Sequence, residues 1–372
     1  MKNSTDKYQI LFLVPLPPPV HGSAVMSQQI MNSSVIRSSF VCDFVNISTS
    51  RSISEVSHFT AVKPLRYLII LVRVLAKLLI NKYDACYIAL TCHGKGFLKD
   101  APLALLCKVF GNKLIIHQHN KGMSSCIGLY PYRWLIPLVY KNASVILLSW
   151  RLYPDIESVV SRDQVHICPN GIPDTSVTAG TERHDAPHIL FLSNLIKSKG
   201  VFELLEACSI LKKKGLEFVC DYVGNETFEI STKLFDDELR FRDLSDNVLY
   251  HGAIYGEEKE RMWLTANIFI FPTYYEDEAF PVVILEAMHH RLPVVSTDEG
   301  GIPDIVADGI TGFIVQKHDV MALADRIEWL LNNPDIAKLM GKAGRKRLEE
   351  KFTVAAWEEC LKECIEKSIE NR

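Results

Sequence analysis

Short, almost wholly apolar runs alternate with longer stretches of helical spacing, and the pattern is played twice along 372 residues. In the first half the runs are YQILFLV (8–14), YDACYIAL (83–90), NKLIIHQ (112–118) and ASVILLS (143–149), with helical spacing over 65–80 and 100–110. In the second half they are HILFLSN (188–194), LEFVCDYVG (216–224), NVLYHG (247–252), ANIFIFP (266–272) and LPVVST (292–297). The segments 199–215 and 319–333 read as helices there. Strands apolar on both faces belong to parallel sheets covered on both sides by helices. A chain of this length exceeds one ordinary core, so two doubly wound, Rossmann-like α/β domains are expected. The stretch 173–187 is rich in Ser, Thr, Gly and Pro and poor in apolar residues, which marks a linker. The predicted domains are therefore 1–179 and 180–351, followed by a terminal helix over 352–372. Ligands of open α/β sheets bind beyond the carboxyl ends of the strands. Two such sheets facing each other predict an interdomain cleft, with the informative residues just after strands.

Charge is divided between the halves. The net charge of the whole chain is −3, yet residues 1–180 carry 18 Lys and Arg against 9 Asp and Glu, leaving the remainder acidic. A basic first half favours an anionic surface such as phospholipid or a polyprenyl diphosphate, and no nucleic-acid partner is expected. The ten cysteines form no C-x-x-C pair and no metal-ligand spacing, as in a cytosolic protein with reduced thiols. The N-terminal apolar run is about seven residues long and ends in prolines, which suits a first strand better than a signal peptide.

The densest chemistry lies in EAFPVVILEAM (278–288). Phe280-Pro281 marks a helix start, because Pro suits the first turn. Glu278 then precedes the helix beside its N–H groups, and Glu286 lies about a turn and a half inside. Carboxylates accept two hydrogen bonds in defined geometry, which suits sugar and ribose hydroxyls. A helix N-terminus favours a diphosphate. From spacing alone, an N-terminal cap at Glu278 and a solvated Glu286 explain the pattern equally well.

Three segments, SNLIKSKGVFELLEA (193–207), EAFPVVILEAMHHRLPVVST (278–297) and EGGIPDIVADGITGFIV (299–315), resemble the C-terminal half of the family 4 glycosyltransferases, retaining enzymes of GT-B architecture. The segment PLPPPVHGSAVMSQQ (15–29) is similar to that family's glycine loop after the first strand, so the likeness runs through both halves. The resemblance implies that Glu286 binds the nucleotide ribose and that Glu278 is the carboxylate near the donor sugar. It implies that Ala279, Phe280 and Pro281 form the turn whose backbone approaches sugar and diphosphate, and that Lys199 contacts donor phosphate. A cation there stabilises the charge that develops on the departing diphosphate. Where many relatives carry arginine, this chain has Asn194, which donates a hydrogen bond but no charge. Gly22 is implied to approach the donor diphosphate or the acceptor. A histidine near the transferred sugar is implied at His119, with His117 as the rival on the same strand face. The terminal helix is implied to pack back onto the first domain.

The function implied is transfer of a sugar from a nucleotide-sugar, UDP- or GDP-linked, to an acceptor hydroxyl of a glycan or polyprenyl-diphosphate-linked precursor of surface polysaccharide. No separate cofactor and no metal are expected, since no D-x-D motif follows an apolar strand and Lys199 supplies the cation. Alternatives on the same architecture are a nucleotide-sugar epimerase and a catalytically silent nucleotide-sugar-binding subunit. Residues 65–80 are too short and too charged to span a bilayer, but Arg66, Arg73 and Lys77 share a stripe beside an apolar face. That suits either an interfacial helix on an anionic membrane or a buried helix whose cations reach water. The expected location is the cytoplasm, at the inner face of the membrane where the protein is peripheral.

Overall fold

A computed structural model of the chain describes residues 7–18, 22–50, 62–175 and 186–370. It contains two compact units, the first of residues 1–170 with 355–372, the second of residues 171–354. The predicted boundary at 179/180 lies outside the described residues.

The first unit is built on a six-stranded sheet in the order β2-β1-β3-β4-β5-β6. Its strands are β1 (Gln9–Val14), β2 (Val41–Asn46), β3 (Ala85–Ala89), β4 (Lys113–His117), β5 (Ser144–Leu147) and β6 (Val165–Ile167). Every pairing is parallel. Residues Ile10 to Val14 of β1 are wholly buried, as expected for a central strand covered on both faces. Helices Gly22–Asn32, Val62–Ile80, Gly94–Val109 and Tyr132–Tyr140 follow or separate these strands, and helix Val354–Glu370 completes the unit.

The second unit repeats the plan in the order β12-β11-β10-β7-β8-β9. Its strands are β7 (His188–Leu192), β8 (Val219–Val223), β9 (Val248–Tyr250), β10 (Ile268–Phe271), β11 (Val294–Thr297) and β12 (Gly312–Val315). All are parallel. The chain builds outward from β7 through β8 to β9, then returns to lay β10 on the other side of β7. The β7/β10 boundary is thus the point where strand order reverses, and the connections there diverge to leave a crevice beyond the carboxyl ends.

Three strands absent from the sequence expectation, β2, β6 and β12, are all sheet edges. β2 carries Asp43 and has Val45 as its one buried residue, and β6 is three residues long. β2 and β6 have one neighbour and a solvated side and so need no continuous apolar run, whereas the edge strand β12 is apolar and largely buried and is missed for its shortness alone.

Asp221 in the middle of β8 is 4% exposed. Its carboxylate is clasped by His188 Nδ1 at 2.6 Å and His251 Nε2 at 2.7 Å, from the start of β7 and the end of β9. Burial alone raises the pKa of this carboxyl, but the hydrogen bonds and charge of the two imidazoles outweigh it and bring the value below the usual 3.8. A depressed carboxyl pKa adds stability that is present above the unfolded value and lost as pH falls through the folded one. Asp221→Asn is therefore expected to flatten the acid-denaturation limb below about pH 3.8. Thermal melts of both proteins between pH 5 and pH 2 measure this, and parallel curves contradict it.

Candidate functional site

The candidate residues of the second unit gather at the β7/β10 reversal. After β7 the chain makes a 3₁₀ turn, Lys197–Lys199, that ends at Gly200. Gly200 has φ +85°, and a Cβ there would lie 2.3 Å from the Pro272 carbonyl oxygen. Only glycine combines that backbone conformation with so close an approach. The turn is tied to the end of β10 by two donors to the Ser198 carbonyl, the Tyr274 amide at 2.8 Å and Thr273 Oγ1 at 3.3 Å. Lys199 is thereby aimed at the loop that follows β10.

Lys199 Nζ donates to Glu278 Oε2 at 2.5 Å. The two side chains are only 14% and 12% exposed. The ammonium also lies 4.4 Å from the centroid of the Tyr275 ring and 5.5 Å from that of Phe271, in cation–π range. Tyr275 is itself anchored, its hydroxyl donating to Asp277 at 3.0 Å and its carbonyl accepting from the Glu278 amide at 2.8 Å. Burial, reinforced by the Asp277 charge, pushes the Tyr275 phenol above its usual range, so it stays a neutral donor. The result is one cation and one carboxylate, largely shielded from water, at the carboxyl edge of the sheet.

Ala279, Phe280 and Pro281 are buried and lead into helix Val282–His289. Glu286 lies on that helix with both carboxylate oxygens held by Lys259 Nζ, at 2.8 and 2.9 Å. Each of these two side chains is nearly a third exposed, so the pair is open to solvent and to an incoming hydroxyl. Asn194 directs Oδ1 to the Asn225 amide at 3.2 Å, which leaves its Nδ2 as the group it can offer an anion. The structure thus brings Lys199 and Glu278 into direct contact and gives Glu286 a cation of its own.

Three participants escaped the sequence reading. Lys259 stands in an otherwise unremarked helix, Gly256–Thr265, and nothing in its local pattern points to Glu286 twenty-seven residues later. Gly300 and Gly301 were legible only as part of a motif. The Gly301 amide donates to the Ala279 carbonyl at 2.7 Å, and a Cβ on Gly300, whose φ is +53°, would lie 2.2 Å from the Glu278 carbonyl oxygen. The double glycine is a seat for the Glu278-Ala279 backbone. Glu299 beside it is 2% exposed and paired with Lys317 at 2.8 Å.

In the first unit, His117 and His119, which alternation puts on one strand face, separate clearly. His117 closes β4, is fully buried, and shares a hydrogen bond between its Nδ1 and the Tyr87 hydroxyl. Burial drives its pKa well below the usual 6.5, so the ring is neutral. His119 lies two residues beyond the strand, half-buried, with its ring 4.1 Å from that of His117. His117 is a core residue, and His119 is the one that solvent reaches. Gly22 opens helix Gly22–Asn32, is exposed, and has open space where a Cβ would stand.

Two six-stranded parallel sheets of this order, with helices around each, define the GT-B class of fold. The sucrose-phosphate synthase of Thermosynechococcus elongatus has the same fold, with a TM-score of 0.77 at 18% identity over 97% of this chain and 98% of that one. A structure of Anabaena HepE in complex with UDP-glucose matches with a TM-score of 0.73 at 17% identity, over 96% of this chain and 99% of that one. Residues 175–347, most of the second unit, match the family model of the glycosyl transferases group 1. The capsular polysaccharide biosynthesis glycosyltransferase CapM of Staphylococcus aureus is 32% identical over 170 residues, 45% of this chain and 43% of CapM. The aligned stretch thus spans less than half of that relative.

The glycine seat yields a direct test. Gly300→Ala forces a Cβ against the Glu278 carbonyl from a backbone conformation that alanine resists, so Glu278 must move. The expected cost is ~1–3 kcal/mol of stability and, from displacement of the carboxylate, a loss of sugar transfer of roughly a hundredfold. Chemical denaturation and a transfer assay measure both, and a variant matching the parent in each would show that the seat is not needed.

Proposed function

We propose that this chain transfers a sugar from a nucleotide-sugar to the hydroxyl of a glycan or polyprenyl-diphosphate-linked acceptor in surface-polysaccharide synthesis, with retention of anomeric configuration. The observation that carries the reading is the shielded Lys199–Glu278 pair at the strand-order reversal, inside the segment that matches the group 1 transferases. CapM, named for capsular polysaccharide biosynthesis, supports the biological setting. The UDP-glucose held by the structurally similar HepE supports the donor class.

In this reading the donor diphosphate takes the place of Glu278 on Lys199, aided by the Asn194 amide and the backbone at the head of helix Val282–His289. Glu278 turns to hydroxyls of the transferred sugar, and Glu286 turns from Lys259 to the ribose diol. The bond between the anomeric carbon and the phosphate oxygen breaks. The acceptor oxygen bonds to the same face of that carbon, and the hydroxyl proton passes to an oxygen of the departing diphosphate. Lys199 neutralises the charge gained by the leaving group, which is the part a metal ion plays elsewhere, so no metal and no separate cofactor are required. His119, half-buried at the end of β4, is assigned to the transferred sugar, and Gly22 to close approach of donor or acceptor.

Thermal shift against UDP-, GDP-, ADP- and CMP-sugars, followed by transfer to a polyprenyl-diphosphate acceptor, tests the proposal. Lys199→Ala is expected to lower kcat by roughly 10²–10³, and Glu286→Ala to weaken nucleotide binding and abolish detectable transfer. Wild-type turnover in Glu286→Ala removes the ribose role. Nucleotide-sugar binding without any turnover by the parent protein would instead favour the silent subunit, for which Asn194 in place of a cation is the one structural argument.

We further propose that the first unit works on an anionic membrane, at its cytoplasmic face. No helix among the described residues is long and apolar enough to cross a bilayer. Helix Val62–Ile80 buries Ile70, Val74 and Leu78 and turns Leu65, Leu68, Ile69, Val72 and Leu79 outward, Leu68 and Val72 being more than half exposed. The basic stripe is only partly available to lipid. Arg66 donates to the Thr49 carbonyl, and Lys77 pairs with Asp43 at 2.8 Å, because both lie at the edge of the packed face, whereas Arg73 is exposed. Helix Gly94–Val109 packs against this helix and against Tyr132–Tyr140, which with its lead-in exposes Leu129, Tyr130, Trp134 and Leu138. Aromatic and aliphatic side chains among cations suit the bilayer interface. Replacing Leu68 and Val72 together by Glu removes ~1.5–3 kcal/mol of burial per side chain, a loss of affinity of roughly a hundredfold or more. Flotation with vesicles containing phosphatidylglycerol reads this out, and equal flotation of parent and variant would dismiss the surface.

A further inference from the structure

Three thiols that the proposed transfer reaction does not use meet at one place in the first unit. Cys168 follows the last residue of β6, and Cys360 and Cys364 lie one turn apart on helix Val354–Glu370. Cys360 Sγ and Cys364 Sγ both donate to the same acceptor, the Ile167 carbonyl oxygen, at 3.3 and 3.7 Å. Cys168 Sγ donates back to the Trp357 carbonyl at 3.9 Å, less than a turn before Cys360. The sulfurs of Cys168 and Cys360 are within hydrogen-bonding reach of each other, as are those of Cys360 and Cys364. Their exposure differs. Cys168 is fully buried and Cys364 is 6% exposed, whereas Cys360 is only partly buried.

We propose that Cys360 is a peroxide-reactive modification site, and that Cys168 resolves its oxidised form into a Cys168–Cys360 disulfide.

The chemistry follows from the arrangement. When Cys360 gives up the proton it shares with the Ile167 carbonyl, the S–H groups of Cys168 and then Cys364 turn from their carbonyls to its sulfur, which favours the thiolate and holds its pKa below the usual thiol range against the opposing effect of burial. The Lys367 ammonium acts in the same direction. Burial, and then its contacts with the other two sulfurs, push the Cys168 thiol well up, so it waits as a protonated partner. An accessible thiolate beside a protected thiol is the arrangement that peroxide-sensing cysteines share. The Cys360 thiolate attacks one oxygen of hydrogen peroxide, the O–O bond breaks, and the departing hydroxide takes a proton to leave as water. Cys360 is then a sulfenic acid. The Cys168 sulfur displaces its hydroxyl, which departs with the Cys168 proton as a second water. Two thiols are oxidised to one disulfide and one peroxide is reduced to two waters.

Two other cysteine pairs sharpen the argument. Cys86 and Cys107, and Cys208 and Cys220, also approach within hydrogen-bonding reach, but all four are fully buried and offer an oxidant no route. The position of the cluster gives the modification a consequence. The chain leaves the first unit after Asn170, two residues beyond Cys168, and re-enters it at Ala355, five residues before Cys360. A Cys168–Cys360 bond therefore staples the returning helix to β6 and closes a covalent loop around the whole second unit.

The reduced full-length protein, exposed to stoichiometric hydrogen peroxide and digested without reductant, should yield a cross-linked peptide pair containing Cys168 and Cys360, cleaved by dithiothreitol. A dimedone trap should label Cys360 about tenfold faster than any other cysteine. Cys168→Ala should retain dimedone labelling at Cys360 and lose the cross-link, and Cys364→Ser should retain the cross-link. The parent protein alone decides the matter if either variant misfolds. No cross-link in the parent, a cross-link between Cys360 and Cys364, or preferential labelling of another cysteine would each overturn the proposal.

Discussion

The ion pair between Lys199 and Glu278 is the constraint around which the second unit is arranged. Two unrelated loops must be held to a fraction of an ångström for those side chains to meet, and neither loop is positioned by its own sequence. The 3₁₀ turn bearing Lys199 is held by backbone and hydroxyl donors from the end of β10. The loop bearing Glu278 is held from the opposite side by the double glycine after β11. Three strand ends, β7, β10 and β11, therefore cooperate to place one charge contact. They can do so because they are consecutive neighbours in the sheet. Strand order, set by apolar burial, is converted into the geometry of two polar side chains.

This hierarchy explains which parts were legible in advance. Buried strands announce themselves, since covering both faces demands a continuous apolar run, and β1, β3, β4, β5, β7, β8, β10 and β11 are all plain in the sequence. Edge strands are freed from that demand, which hid β2 and the three-residue β6; the edge strand β9 is nevertheless plain, and β12 is an apolar run too short to stand out. The same contrast governs the site. Glu278, Glu286 and Lys199 sit in short motifs with a resemblance behind them. Lys259 reaches Glu286 across a helix and a strand, through a contact that no local spacing encodes. Gly300 stands in the motif EGGIPDIV, but its purpose appears only when the Glu278 carbonyl is found where its Cβ would have been.

The two histidines of β4 show the limit of periodicity from another side. Alternation correctly puts residues 117 and 119 on one face, and stops there. What divides them is that the strand ends at His117, so that residue is sealed by Tyr87 and the sheet while His119 has already entered the loop. Helix Val62–Ile80 carries the same lesson with the sign reversed. A stripe of three cations reads as the solvent edge of an amphipathic helix. Two of them are turned toward protein partners instead, and it is the apolar arc that faces outward. Apolar side chains on a globular unit normally vanish into the core, so their exposure along five turns of helix is the stronger indication of a partner than the charges are.

Glu278 and Glu286 are each paired with a lysine, and that bears on how a donor would bind under the proposed function. A carboxylate as shielded as that of Glu278 is costly to leave unpaired, and so is the ammonium of Lys199. A diphosphate entering the site gains Lys199 only by displacing Glu278, and the displaced carboxylate then needs new donors, which the hydroxyls of a sugar supply. A nucleoside diphosphate without its sugar offers the first half of that exchange and not the second. The more exposed Glu286–Lys259 pair exacts a smaller penalty, because water screens it and can replace either partner. The two ion pairs therefore differ in kind: in the proposed reading the exposed pair would yield readily to a ribose diol, and the shielded pair would couple phosphate binding to the presence of the sugar.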